Sequence, residues 1–344
     1  MRAVAFLACW VSLGCGGTAQ PAADAQVPAR PVDLLVVLGV PGDTVGLRES
    51  VAGPLSEAIM AELGGRALDV RLGVVTSNLG DFGQGWGCEG ASGNTDGDGA
   101  RLLLPYCQPY GLLCDGYCDP ETLLGVATWP PWLDLGDLMG RGVDRLGGVI
   151  ACVANGSAGG YFQCYVHQPL EAALRALDAN PGFLRDGSVL GLLIITPIED
   201  FSTSDSRLWG PDYRPETNCF FGYRSEDLLV PVDEYVGRLV ELAAARPVVV
   251  GVDAVSGELV VDPAYPGSGC PDGMIGQAGT CRARALVGQS GYAAPRLYAL
   301  MGSIEAQGRR ELRAVPMDFC SEDPASEFRR FLAAVVEASS QPDP

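Results

Sequence analysis

The side chains most able to do chemistry gather behind one apolar stretch. Glu199, Asp200, Ser202, Ser204 and Asp205 follow the run Gly187 to Thr196 closely. A hard divalent cation wants several oxygen ligands and keeps some of them as water. With Asp43 brought alongside, this cluster could collect such an ion; otherwise it reads as a solvated acidic loop. A second set, Asn94-Thr-Asp96-Gly-Asp98-Gly99, alternates oxygens up to a turn glycine as the first half of a calcium loop does. The carboxylate needed near its end is replaced by Pro105, which excludes an EF-hand. Asp96 and Asp98 remain as cation candidates, with a polar turn as the simpler reading. His167 is the single histidine, so any Ser-His-Asp hydrolase must use it. No Gly-x-Ser-x-Gly elbow accompanies it, and Gly288-Gln-Ser290-Gly291 carries only part of that pattern. His167 stands just before Pro169, where a polar residue at a helix start is expected. Cys114 and Cys118 are spaced too widely for a Cys-x-x-Cys redox pair. A phosphate loop of the Walker type is absent from the sequence.

Composition narrows the partners. The chain has 344 residues, 47% apolar and 19% charged, enough for one large or two modest packed domains. Its formal net charge is -19, every basic side chain is Arg, and no basic run occurs. Binding nucleic acid by neutralising phosphates is therefore excluded.

The first residues, Met1-Arg2, a short apolar stretch Ala3 to Leu13 and then Gly14-Cys15, have the pattern of an export signal. The apolar stretch is too short for a stable bilayer span. Leu13-Gly14-Cys15 resembles the bacterial lipobox, which makes Cys15 the lipidation site, although Ser12 stands where an aliphatic residue is usual. The expectation is an export signal over 1–15, a flexible tether over 16–30 rich in Ala, Pro, Gln and Gly, and a folded domain over 31–344. Such a protein is lipid-anchored in the cell envelope or secreted. Beyond Cys9 and Cys15, ten of the 12 cysteines remain: Cys88, Cys107, Cys114, Cys118, Cys152, Cys164, Cys219, Cys270, Cys281 and Cys320. An even set in an exported chain points to disulfides. Zinc fits poorly, because no second close pair follows Cys114 and Cys118. Sequence does not fix the connectivity; Cys152–Cys164 and Cys270–Cys281 are the cheapest closures, being short loops.

Periodicity supplies the elements that must position these groups. Asp33 to Asp43 is an apolar run ending in a Gly/Pro turn, and Thr44 to Leu63 is amphipathic, which reads as a buried strand feeding a helix. Leu68 to Ser77 reads as a second strand, nearer the sheet edge because its start alternates. Helices are expected over Asp137–Ala154, Gln168–Ala179, Val232–Ala245, Pro295–Gln307 and Ser326–Ser339. Gly187–Thr196 is apolar on both faces and belongs at the sheet centre. Pro247–Asp253 and Leu312–Met317 are further strands, with Glu258–Asp262 as a candidate partner of the former. Strands alternating with helices give an α/β class: a mainly parallel sheet covered on both faces. Asn78 to Leu133 lacks regular pattern and carries four cysteines with Trp86, Trp129 and Trp132. It reads as a disulfide-rich insertion at about 80–133, where partner-specific surface is expected. Tyr265 to Ser290 is a second Cys-bounded loop.

This order of segments resembles the von Willebrand factor type A domain, in particular its Cys-rich, exported bacterial versions, over about Val32 to Glu337. The resemblance rests on Val32-Asp-Leu-Leu-Val-Val, Leu72-Gly-Val-Val-Thr-Ser, Cys152-Val-Ala, Gln168-Pro-Leu-Glu-Ala-Ala-Leu, Asn180-Pro-Gly-Phe-Leu-Arg-Asp186, Leu192-Leu-Ile-Ile-Thr196 and Ala294-Pro-Arg-Leu. The family's metal-ion-dependent adhesion site takes Asp-x-Ser-x-Ser after the first strand, a Thr in a later loop and an Asp after the central strand. The resemblance puts Gly39, Pro41 and Asp43 at the first three positions, Ser157 at the Thr and Pro197 at the last Asp. It implies a degenerate metal site, no resident cofactor and a non-catalytic role: binding a protein or a surface polymer. The implied binding face is Gly39, Pro41, Asp43, Ser157, Glu199, Asp200 and Asp205, with the loop from Trp86 to Trp132. Asp43, Ser157 and Asp200 are the residues to which a cation would have to turn. Two other readings stand beside this one: a metal-assisted hydrolase using Glu199, Asp200 and Asp43, and a structural envelope component whose site has decayed.

Overall fold

A computed structural model describes residues 29–39, 51–64, 66, 68–80, 99–102, 118–136, 143–156, 167–197, 199–204, 228–254 and 294–341. In chain order the described elements are β1 (Val32–Leu38), α1 (Gly53–Leu63), β2 (Val70–Thr76), α2 (Pro120–Leu124), β3 (Leu133–Asp134), α3 (Val143–Gly156), α4 (Pro169–Ala179), β4 (Val189–Ile195), α5 (Val232–Ala243), β5 (Val248–Ala254), α6 (Pro295–Ala306), β6 (Leu312–Asp318) and α7 (Pro324–Ser339). They build one sheet of six strands in the order β3-β2-β1-β4-β5-β6. All pairs are parallel except β2 with β3, which is antiparallel over Arg71↔Asp134 and Leu72↔Leu133. The class is α/β. Six mostly parallel strands flanked by helices are compatible with a von Willebrand type A-like or a Rossmann-like arrangement.

The hydrophobic pattern explains the layering. β1, β4 and β5 are buried at every residue, as strands covered on both sides must be. Val32, Leu34, Val36 and Leu38 of β1 point to one face, where α1, α3 and α7 cover them. Leu35 and Val37 point to the other, beneath α4, α5 and α6. The strand order reverses between β1 and β4. In open α/β sheets the crevice outside the carboxyl ends at that reversal is where ligands bind.

Glycine sets how closely α7 approaches. A Cβ on Gly251 would lie 2.5 Å from Cδ2 of Phe331, and one on Gly191 would lie 3.1 Å from Val335 and from Leu34. Phe331 therefore occupies the space that a side chain at Gly251 of β5 would need, while Val335 and Leu34 crowd the position at Gly191 of β4.

The amino end of the sheet is locked by ions. Asp33, fully buried in β1, accepts from the Arg185 backbone N–H at 2.7 Å and from its Nε at 2.8 Å. Arg185 Nη2 also donates to the carbonyls of Val32 and Asp69 at 2.8 and 3.1 Å, and Nη1 sits 2.6 Å from the Asp69 carboxylate. Arg246 then donates to the Arg185 carbonyl at 2.8 Å. Here the buried carboxylate has its counter-ion and its hydrogen bonds, the condition on which a buried charge is tolerated.

Two expectations change. The stretch 78–133 is not wholly irregular: it contains α2, capped by the Asp119 carboxylate on Thr122 N–H at 2.8 Å. β3 follows, and it is held by tertiary contacts more than by its own sequence. Arg71 reaches from β2 to Asp134 at 3.3 Å, to the Gly182 carbonyl at 3.0 Å and over the Trp132 ring at 5.1 Å. The cheapest disulfide, Cys152–Cys164, is also replaced. Cys152, buried on α3, is bonded to Cys118 just ahead of α2. Loop length decides cost only among pairs the fold brings together, and packing of α3 chose the distant partner. Cys320 is disulfide-bonded as well. The remaining cysteine candidates (Cys88, Cys107, Cys114, Cys164, Cys219, Cys270 and Cys281), Cys15, and the segments 1–28 and 258–290 lie outside the described residues. Among the described residues no helix is long and apolar enough to cross a membrane.

The close approach of α7 gives a direct test. Gly251→Ala should destabilise the protein by about 1–3 kcal/mol in urea unfolding, because overpacking forces Phe331 aside. Adding Phe331→Leu should recover part of that loss; independent, additive costs would contradict the packing described.

Candidate functional site

Buried polar side chains are distributed unevenly over the sheet. Asp33 and Ser188 sit at its amino end, while Thr76, Ser77, Asn78, His167, Gln168, Thr196, Asp200, Ser202, Thr203 and Asp253 lie buried at or beside its carboxyl end. Burying a polar group is costly unless it is hydrogen-bonded. The partners these groups take therefore say what this end of the sheet is built to do.

At the reversal itself, β1 and β4 are drawn together beyond their ladder. Gly39 N–H donates to the Ile195 carbonyl at 2.7 Å, and Thr196 N–H donates to the Asp253 carbonyl at 2.9 Å. A Cβ on Gly39 would stand 2.5 Å from Thr196 Oγ1 and 2.6 Å from Thr196 Cβ. The position the resemblance assigns to a metal-ligating Asp is thus one where no side chain fits while Thr196 stays in place.

The next residues of the β4 exit form a clamp. α4 and α6 both begin with Pro in the first turn, and their cap residues, Gln168 and Ala294, supply no side-chain cap. The first N–H groups of a helix still need acceptors. Asp200 and Glu199 provide them from another segment. Asp200 Oδ1 accepts from Leu170 N–H of α4 at 3.1 Å and from Ser202 Oγ at 2.6 Å. Its Oδ2 meets Arg296 Nη2 of α6 and Ser202 N–H, each at 3.3 Å. Ser202 Oγ in turn accepts from Glu171 N–H at 3.0 Å. Glu199 Oε2 accepts from Arg296 N–H at 3.0 Å, and its Oε1 from Asp200 N–H at 2.7 Å. Arg296 Nη2 finishes on the Val230 carbonyl at 2.7 Å, ahead of α5. Tyr235 of α5 donates to Glu171 at 3.3 Å. One dipeptide therefore ties α4 and α6 to the end of the central strand, and Arg296 extends the tie to the segment ahead of α5.

Burial pushes the Asp200 carboxyl up from its ordinary value, opposed by the charge of Arg296 and by the bonds from Ser202 and Leu170. Burial also dominates at Glu199, whose carboxyl is pushed up to about 8 against the pull of its two backbone donors. Helix N-termini favour a negative charge placed on their first turn, so the two carboxylates hold an environment that both resists and rewards ionisation.

His167 is part of the same floor. Its Nδ1 lies 2.8 Å from Ser77 Oγ at the end of β2, and its carbonyl accepts from Phe201 N–H at 2.8 Å. Gln168 N–H donates to the Ser77 carbonyl at 3.0 Å, and Gln168 Oε1 accepts from Thr203 N–H at 3.2 Å. His167 and Ser77 are both buried. Their bond staples the start of α4 to the end of β2.

Of the residues the sequence singled out, Gly39, Glu199 and Asp200 converge at the carboxyl end. Pro41, Asp43, Asp96, Asp98, Ser157 and Asp205 lie outside the described residues. The solvated acidic loop expected over Glu199–Asp205 is corrected at its start: Asp200 and Ser202 are fully buried. Asp200 cannot touch a partner directly and acts by positioning what surrounds it. Among the described residues no group of three or more His, Cys, Asp or Glu side chains is placed to hold a metal. Sequence reasoning missed Arg296, Ser77 and Thr196. One signal for Arg296 was present: two Pro-initiated helices without a capping residue must find their acceptors elsewhere.

The chain matches no protein-family model and no curated protein.

The clamp predicts a large cost for a small change. In Asp200→Asn an amide N–H₂ would face the donors of Arg296 and Ser202, or of Leu170. Breaking one partner of a buried ion pair costs about 3–5 kcal/mol, so the thermal midpoint should fall by many degrees. A shift under about 1 kcal/mol, the range of an exposed pair, would show that Asp200 is not buried in this network.

Proposed function

We propose that this protein is a non-catalytic binding module of the cell envelope with a von Willebrand type A-like domain. In this reading it is exported, lipid-anchored through Cys15 or secreted, and grips a protein or a surface polymer with the loops over the carboxyl end of its sheet. The observation that carries the reading is where the chain spends its length. On the amino side the helices return to the sheet quickly, from Leu63 to Val70, Ala179 to Val189, Ala243 to Val248 and Ala306 to Leu312. On the carboxyl side the described elements are separated by longer stretches of sequence, from Leu38 to Gly53, Thr76 to Pro120, Ile195 to Val232 and Ala254 to Pro295, with β6 to α7 as the short exception. Sequence inserted at the edge where α/β sheets bind ligands is where recognition surfaces are commonly built.

The clamp supports binding over metal-assisted hydrolysis. The hydrolase reading needs the oxygens of Glu199 and Asp200 for a cation, whereas those oxygens accept from Leu170, Ser202, Asp200 and Arg296 donors. The net charge of -19 favours a partner whose contact surface is not itself strongly acidic.

Crosslinking capture by the full chain from intact cells, followed by titration of the purified partner, tests this. Saturable binding that survives EDTA and weakens at least tenfold in the double variant Asp43→Arg, Asp205→Arg is expected. Binding abolished by EDTA would return the cation to the mechanism, and no saturable partner would favour the purely structural role.

A further inference from the structure

The two carboxylates of the clamp are not equivalent. Asp200 touches a cation: Arg296 Nη2 stands 3.3 Å from its Oδ2. Glu199 touches no side-chain cation among the described residues; its contacts are two backbone N–H groups, one per oxygen. It is also next in sequence to a second, fully buried carboxylate. Among the described residues the charged groups facing it are few. Asp200 on its own segment opposes ionisation, and Arg296 on α6 favours it. From α4, Glu171 lies beyond Ser202 and is paired with Arg175 at 2.7 Å, while α5 presents the neutral Tyr235 bonded to Glu171. Nothing described cancels a negative charge at Glu199 by direct contact, yet both its oxygens accept as a carboxylate's would.

We propose that Glu199 is a proton-operated latch between the exit of β4 and the first turn of α6, regulating how firmly α6 is held at the strand-end face. As a carboxylate it accepts from both Asp200 N–H and Arg296 N–H. A protonated carboxyl has one oxygen turned donor, so it can keep only one of the two backbone contacts in full. Losing the Arg296 N–H contact frees the start of α6, whose cap residue Ala294 supplies no replacement. Arg296 also spans Asp200 and the Val230 carbonyl, so slack at this point reaches α5 as well.

The balance lies close to neutral pH: burial, the largest influence, pushes the Glu199 carboxyl from 4.5 to about 8. The sign for stability follows. The folded protein holds this proton more tightly than the unfolded chain, so the contribution of Glu199 is greatest below about 4.5 and is lost as pH rises to about 8. The latch therefore closes at alkaline pH at the expense of global stability. This inference stands whether or not the face binds the partner proposed above.

The test is an NMR titration of the full chain between pH 5 and 9.5. The Glu199 ¹³Cδ and the Arg296 amide ¹⁵N should titrate together with one midpoint near 8, and Glu199→Gln should abolish the Arg296 transition. In that variant the decline of the thermal midpoint over the same range should also flatten. A Glu199 midpoint in the ordinary carboxylate range overturns the latch. So does an Arg296 transition that persists in Glu199→Gln. If Glu199→Gln does not fold, the wild-type ¹³Cδ and ¹⁵N midpoints decide alone, and unequal midpoints overturn the proposal.

Discussion

Every helix must find acceptors for the N–H groups of its first turn, and α4 and α6 are among the described helices whose cap residues supply none. α4 and α6 start with Pro after residues that do not cap. The dipeptide leaving the central strand does it for both, Asp200 on Leu170 and Glu199 on Arg296. Because β4 is fixed at the sheet centre, everything hung on its exit inherits that rigidity. The start of α4 carries His167 and Gln168 onto the end of β2, and Arg296 carries the segment before α5. The helices on one face of the sheet are thus referenced to a single point.

The two ends of the sheet solve the same problem differently. At the amino end one guanidinium, Arg185, satisfies one buried carboxylate and closes the connection tightly. At the carboxyl end the polar groups are more numerous, and of two adjacent carboxylates only Asp200 meets the guanidinium of Arg296, while Glu199 takes its backbone N–H. Stability alone does not call for that second arrangement, since apolar side chains of similar volume often do as well as a buried ion pair. It does produce a stiff polar floor at this end of the sheet. The seal between Gly39 and Thr196 belongs to this floor, filling the place where a side chain at position 39 would otherwise project.

The central strands were legible because burial on both faces leaves an unbroken apolar run, as in Leu34–Leu38 and Leu190–Ile195. Helix ends were legible to within a few residues, since Pro marks the first turn of α4, α6 and α7. α2 and β3 were not, because a two-residue strand has no periodicity and depends on Arg71 and Trp132 for its place. The Cys118–Cys152 bond escaped because spacing measures loop cost and not proximity. The acidic run after β4 was visible but misread as solvated at its start. Its residues are polar for the sake of helix N-termini more than a hundred positions apart in the chain, a need that no local pattern records. A separation of 90 positions likewise hides the bond between Ser77 and His167.

At the carboxyl end of the sheet the oxygens of Glu199 and Asp200 are taken by hydrogen bonds from the protein's own elements, which leaves them no role as metal ligands. Anomalous diffraction from crystals of the full chain grown with Mn²⁺ tests it most directly. No anomalous peak is expected on Glu199 or Asp200, with Asp200 still bonded to Leu170 and Arg296. A peak about 2.0–2.6 Å from an Asp200 oxygen, the range of hard-cation ligands, with those bonds broken, would contradict it.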